Sequence, residues 1–241
     1  MNRIVKGIVL RQVQYKEKDC MVSALTEEGI ISFLARGILS PSSKNASSCL
    51  LYNYSEFTLS YKQDKITLTQ GKSIKTFSKL YSSLSAISIA SFMGETTLKF
   101  MDSDNRFIFN YFLNALYALE EDFDGATILA IFLAKIIKYS GYSLNYSECV
   151  KCSSKKEIVM VDYSEGGFLC SKCVNKYIDQ TADYLKSFRY VFMVDQDNIK
   201  HAKLKEDISI RLINEFSNYL CDCFDVPKLN SLDLFNRAKN K

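Results

Sequence analysis

Apolar and polar positions alternate with a period of two through the first third of the chain, the pattern of half-buried strands. Residues 4–10 are β-branched and apolar, and segments 21–26 and 30–35 flank Glu27-Glu28-Gly29, a short loop that signals a hairpin. Phe57, Leu59 and Tyr61 then alternate with Thr58 and Ser60, and after a turn at Gln63-Asp64, Ile66 and Leu68 alternate with Lys65, Thr67 and Thr69. A last segment, 73–77, is placed to close the sheet. Five short strands in under 80 residues describe a small closed barrel, with the OB-fold as the natural candidate. An SH3-like barrel or a small sandwich gives a similar pattern, and periodicity alone leaves that choice open.

From residue 79 the period changes to that of a helix. Leu80, Leu84, Ile87 and Ser91 fall on one face, and Phe107, Tyr111, Ala115 and Leu119 repeat every fourth position, with Ile108 and Phe112 widening the stripe. Asp104 and Asp124 are placed to cap two helix starts, and Gly141 to end a helix over 126–139 that is apolar almost all round and therefore buried. Helical period returns over 179–225 with Leu204, Ile208, Leu212, Phe216, Tyr219 and Cys223 along one side. The tail after Pro227, with Arg237, Lys239 and Lys241, reads as frayed.

Composition changes this picture in two respects. The net charge of +4 is modest, but residues 1–80 hold 12 Lys/Arg and 6 Asp/Glu while the rest hold 19 and 21. The whole positive excess thus lies on the strand-rich third, as in a polyanion-binding module joined to something else. A single histidine, His201, followed by Ala202 and Lys203, excludes multi-histidine metal sites and the His-x-Glu of zinc deaminases. Gly71-Lys72-Ser73 resembles the end of a phosphate-binding loop, but its first glycine position is Ile66, so ATP binding there is rejected. No apolar run spans a bilayer, and the charged N-terminal segment does not read as a signal peptide; a cytoplasmic protein with free thiols is the expectation.

Chemistry concentrates in the cysteines. Cys149-x2-Cys152 and Cys170-x2-Cys173, 17 residues apart, have the spacing of two knuckles that point four thiolates at one tetrahedral zinc. The spacer suits a hairpin, with Ile158-Val159-Met160-Val161 as a strand and Glu165-Gly166-Gly167 as a turn. Four protein ligands leave no place for a water, so one structural Zn2+ is expected, and no catalysis. Cys20 and Cys49 read as core residues, and Cys221 and Cys223 fall on different helix faces.

The basic residues of the first third interleave with Tyr15, Tyr52, Tyr54 and Tyr61, the ingredients of a single-strand-binding surface. Lysine-covered surface and tyrosine packing account for the same residues equally well. The Ser-rich loop over 35–48, holding Arg36 and Lys44, suits phosphate contacts best.

The ordered set of motifs resembles the RecO family of bacterial recombination mediators. It is carried by Gly7-Ile8-Val9-Leu10-Arg11, Leu25-Thr26-Glu27-Glu28-Gly29-Ile30-Ile31-Ser32, Ala35-Arg36-Gly37, Ser42-Ser43-Lys44, Gly141-Tyr142, the two cysteine pairs with Gly166-Gly167-Phe168-Leu169, and Ser231-Leu232. The resemblance implies an α+β multidomain chain. Its N-terminal five-stranded OB-fold β-barrel would cover 1–78, and an all-helical domain 79–241, with a four-cysteine zinc-ribbon-like insertion at about 145–178. It implies binding of single- and double-stranded DNA, annealing of complementary strands, and action with RecR and the single-stranded DNA-binding protein SSB to load RecA. Candidate DNA contacts are Arg11, Arg36, Lys44, Lys62, Lys72 and Lys75. Ile38-Leu39-Ser40-Pro41 stands where the family is usually richer in basic residues, which shifts weight onto Lys62, Lys72 and Lys75. The competing function class is a protein–protein adaptor whose DNA contact is secondary.

Overall fold

The computed structural model describes residues 1–63, 65–101 and 106–239; the expected turn residue Asp64, the expected cap Asp104 and the tail residue Lys241 lie outside them. Five strands form a closed barrel in the order β1-β2-β3-β5-β4: β1 Asn2–Gln14, β2 Cys20–Thr26, β3 Gly29–Ala35, β4 Tyr54–Lys62 and β5 Lys65–Lys75. This is the OB-fold, and it settles the choice that periodicity left open. Residues 73–77 are not a separate strand. β5 runs unbroken to Lys75, and closure comes from its start, where Thr67 pairs with Leu34 in the barrel's parallel contact.

Alternation along the strands builds two apolar surfaces. Inward residues such as Val9, Val22, Phe33, Phe57 and Leu59 fill the barrel, with the Phe33 and Phe57 rings 5.0 Å apart. On one outer side Ile8, Leu10, Leu25 and Tyr52 instead join the core of the helices. Tyr52 stacks on Phe112 at 6.4 Å and Tyr54 meets Phe109 at 6.1 Å, so barrel and bundle share a core.

The bundle comprises α1 Lys79–Ser82, α2 Leu84–Phe100, α3 Arg106–Glu120, α4 Gly125–Tyr139, α5 Ala182–Met193, α6 Glu206–Cys223 and α7 Asn230–Lys239. As expected, α4 is buried on every face; Asp124 caps it by accepting the Thr127 N–H at 3.2 Å, and Gly141 follows its end at φ +89°. Lys135 lies wholly inside, donating to Phe192 O at 2.7 Å with its ammonium 5.1 Å from the Tyr111 ring. Burial pulls its pKa down to about 8.

Two helical expectations are corrected. Leu80 and Leu84 do not belong to one helix: the chain breaks at Ser83, whose hydroxyl caps Ala86 N, and Leu84 is 45% exposed. The buried face of α2 is Ile89, Met93, Thr96, Thr97 and Phe100, with both threonines bonding back to carbonyls one turn earlier. Those polar side chains hid the true stripe from a reading by hydropathy. The tail is not frayed over 230–239 either. Glu95 accepts the N–H groups of Asn230 and Ser231 at 3.2 and 2.8 Å, capping α7, and Phe235 packs on Phe92. A hairpin of β6 Ile158–Asp162 and β7 Gly167–Cys170 completes the fold.

Candidate functional site

Register places the first group of candidate residues. Arg11 pairs with Ser23, and Ser23 with Ser32, so these three point outward in one row across β1, β2 and β3, the two serines 2.9 Å apart. Beside it, Met21, Leu34 and Thr67 form a second outward row. A groove of 690 Å³ runs over this face between the β1–β2 loop and the start of β5, lined by Tyr15, Lys16, Asp19, Arg36 and Lys65 among others.

Backbone bonds hold the groove in shape. Asp19 Oδ1 accepts the Gly37 N–H at 2.8 Å, and the Leu39 N–H reaches Lys18 O at 3.1 Å, tying the β1–β2 loop to the turn that presents Arg36. Gly37 sits at φ +65° in that turn, a conformation favouring glycine. Tyr15 is 59% exposed, and the Lys16 ammonium lies 5.7 Å from its ring centre. This is the face and loop pairing that OB-folds use for oligonucleotides.

The other expected contacts fall elsewhere. Lys62 is exposed and pairs with Lys65 across the β4–β5 turn, at the groove's edge. Lys44 and Lys72 flank a different spot, where Asn45 Oδ1 accepts the Gly71 N–H at 3.0 Å, roughly 13 Å along β5 from Thr67. A Cβ on Gly71 would stand 2.0 Å from Ser48 Oγ, so this glycine serves close approach of the loop rather than phosphate binding. Ser48 itself is buried, and Ile38 and Cys49 plug the barrel core, so the Ser-rich loop is anchored near both ends while Ser42, Lys44 and Ser47 between them stay exposed. Lys75 is 3.7 Å from Glu120 and sits over Phe77, its charge engaged with the bundle. Lys16 and Lys65 were not singled out by sequence; the loop bonds and β2–β3 pairing bring Lys16 beside Arg36, and barrel closure brings Lys65 there.

The second group is the cysteine quartet. Its four sulfur atoms lie within 4.8 Å of one another, Cys152 and Cys170 at 3.6 Å, and all four thiols are free. A tetrahedral ion with bonds of about 2.3 Å requires sulfur separations of about 3.8 Å, so the set can hold a metal. Burial opposes a Cys149 thiolate, yet the N–H groups of Cys170, Lys151 and Cys152 outweigh it and hold this thiol at about 6. A thiol stabilised in its anionic form suits a ligand. Hydrogen bonds between the Cys173 thiol and the sulfurs of Cys152 and Cys170 push it up to about 12, and a cation in their midst would take the place of those shared protons.

The hairpin between the knuckles is fixed at both ends. Gly167, at φ +145°, lies against Asn145, whose carbonyl oxygen would be 2.3 Å from a Cβ there. Asp162 Oδ1 accepts from Ser164 and Glu165 in the turn, and Oδ2 from Lys176 at 2.7 Å; burial opposes its charge, but these donors hold its carboxyl at about 2. Tyr163 then reaches Glu215 of α6 at 3.0 Å, alongside Tyr184 and Arg211.

Comparisons with known proteins agree with this architecture. A family model for the N-terminal part of recombination protein O matches residues 1–77, and one for its C-terminal part matches residues 81–207. The chain is 28% identical over 213 residues to the DNA repair protein RecO of Halalkalibacterium halodurans, covering 86% of this chain and 84% of that one. It is 29% identical over 171 residues to the proteins of that name in Bacillus cereus and Bacillus anthracis, covering 70% of this chain and 69% of each of those. With the barrel under one family model and the bundle up to the start of α6 under the other, the chain belongs to the recombination protein O family.

Proposed function

We propose that this chain is a non-catalytic mediator of DNA repair and recombination that binds single- and double-stranded DNA on its barrel and anneals complementary strands. With RecR it would help load RecA onto DNA coated with SSB, acting in the cytoplasm. The observation that carries the reading is the barrel groove, where Lys16, Arg36 and Lys65 converge beside the exposed Tyr15 ring. Cations along such a groove neutralise phosphates, while an exposed ring offers bases a stacking surface. Neutralising both strands lowers the repulsion that keeps complements apart.

The metal in this reading is one Zn2+ held by Cys149, Cys152, Cys170 and Cys173. Bound there it supplies structure, since four thiolates leave no coordination position for a reacting group.

Fluorescence anisotropy of a labelled oligonucleotide at several salt concentrations tests the proposal. Binding should weaken steeply with salt, and Arg36→Glu with Lys65→Glu should lower affinity at least tenfold and flatten the salt slope by about one per lost contact. Binding that ignores salt, or no binding at all by the unaltered chain, would overturn it.

A further inference from the structure

A second cationic hollow lies between the β6–β7 hairpin and α5. Ile158, Phe168 and Leu185 line its floor, and Lys155, Lys186, Arg189 and Met193 its rim, around 410 Å³. It shares Lys155, Arg189 and Met193 with an adjoining hollow of 470 Å³ that reaches Lys138. No carboxylate lines either of them. Among the described residues none of these four cations makes an ion pair; Glu165, Asp162, Asp183 and Asp179 pair with Lys151, Lys176, Lys205 and Arg211, and Glu157, next to Ile158 in the chain, accepts from the Ser171 hydroxyl. Cations gathered without carboxylates are notable in a region, residues 81–241, that carries a net −2.

One of the cations is also fixed in place. Arg189 donates from Nε to Tyr146 O at 2.9 Å and from Nη2 to Ser147 O at 3.3 Å, with its guanidinium 5.2 Å from the Phe168 ring centre. Lys186 and Arg189 are one turn apart on α5, followed by Tyr190 and Met193, exposed by 41% and 62%. Two cations and two part-exposed apolar side chains thus share one face of α5 along one open channel.

We propose that this channel is a second single-strand site, taking the sugar-phosphate backbone of DNA along Lys138, Lys155, Lys186 and Arg189 while bases lie against Tyr190 and Met193. The inference rests on the DNA-binding reading of the barrel and extends it: one chain would hold two strands at once, which is what annealing needs. An acidic peptide is the competing occupant; cations strung along two joined open hollows match an extended polyanion. Lys155 stands on the segment between the first cysteine pair and β6, so the channel exists only while the metal-binding hairpin is folded.

The test is stoichiometry. Full-length, metal-loaded protein is titrated with labelled oligo-dT of about 15 nucleotides, a length matched to one single-strand site. The unaltered chain should hold two oligonucleotides, Lys155→Glu with Lys186→Glu one, and Arg36→Glu with Lys65→Glu the other one. Annealing of complementary strands should fall at least tenfold in either double variant, with circular dichroism and metal content unchanged. One oligonucleotide per chain, unaffected by the Lys155 and Lys186 changes, would overturn the second site and leave the barrel reading standing. No binding by the unaltered chain would overturn both. Loss of binding to a poly-glutamate peptide with DNA stoichiometry unchanged would overturn the inference in favour of a peptide groove.

Discussion

The barrel and the cysteine hairpin reach order by different routes. Among the described residues the barrel has eleven buried apolar residues of its own, from Val9 to Leu68, and its sheet closes on itself through the short parallel contact of β3 with β5. The cluster around the quartet has three, and two of these are the ligands Cys149 and Cys170. Apolar burial sustains the first; the hairpin, with nine strand residues, joins the helical core through Val161 and Phe168 but has almost no apolar core of its own on the knuckle side. The comparison teaches that the knuckle side of the hairpin would depend on the proposed ion as much as on the chain.

Metal removal should divide the two most sharply. Binding of a structural ion by four thiolates is worth about 10–16 kcal/mol in small modules, so Cys149→Ser or a strong chelator should abolish amide protection over 145–178 and leave strands β1 to β5 protected. Hydrogen exchange read by mass spectrometry decides it; persistent protection of the hairpin without metal would break the comparison. In the opposite direction, Phe57→Ala should cost the barrel about 3–5 kcal/mol in urea unfolding while metal content stays at one ion per chain. Smallest is Asp162→Asn, about 1–2 kcal/mol, because Lys176 is half exposed. With its folded carboxyl at about 2, below its ordinary value of 3.8, Asp162 stabilises fully above about pH 4 and loses that contribution as pH falls through 2. The stability gap between the two proteins should therefore close across that window.

Elements set by local chemistry were legible in the sequence. The two-residue period of Phe57, Leu59 and Tyr61, the Asp124 cap, the Gly141 stop and the paired cysteine knuckles all appear where their spacing puts them. What escaped depended on distant partners. Ser231 starts an ordered helix because Glu95, 136 residues away, accepts its N–H. The barrel groove needs the Leu34–Thr67 contact to bring Lys65 to Arg36, and no local pattern announces a pairing between β3 and β5. Ser83 shifted the phase of α2 through one capped break, which hydropathy does not register.

Asp19 latches the Arg36 turn by placing a carboxylate inside the barrel groove, so three cations there are offset by one fixed anion. The latch spares the groove the ordering of loops when a ligand arrives, which favours fast capture. The same carboxylate repels phosphate at close range and so speeds departure. In the DNA-binding reading proposed above such a surface would favour brief residence, and Asp19→Asn, which keeps an acceptor for the Gly37 N–H while removing the charge, would lengthen it.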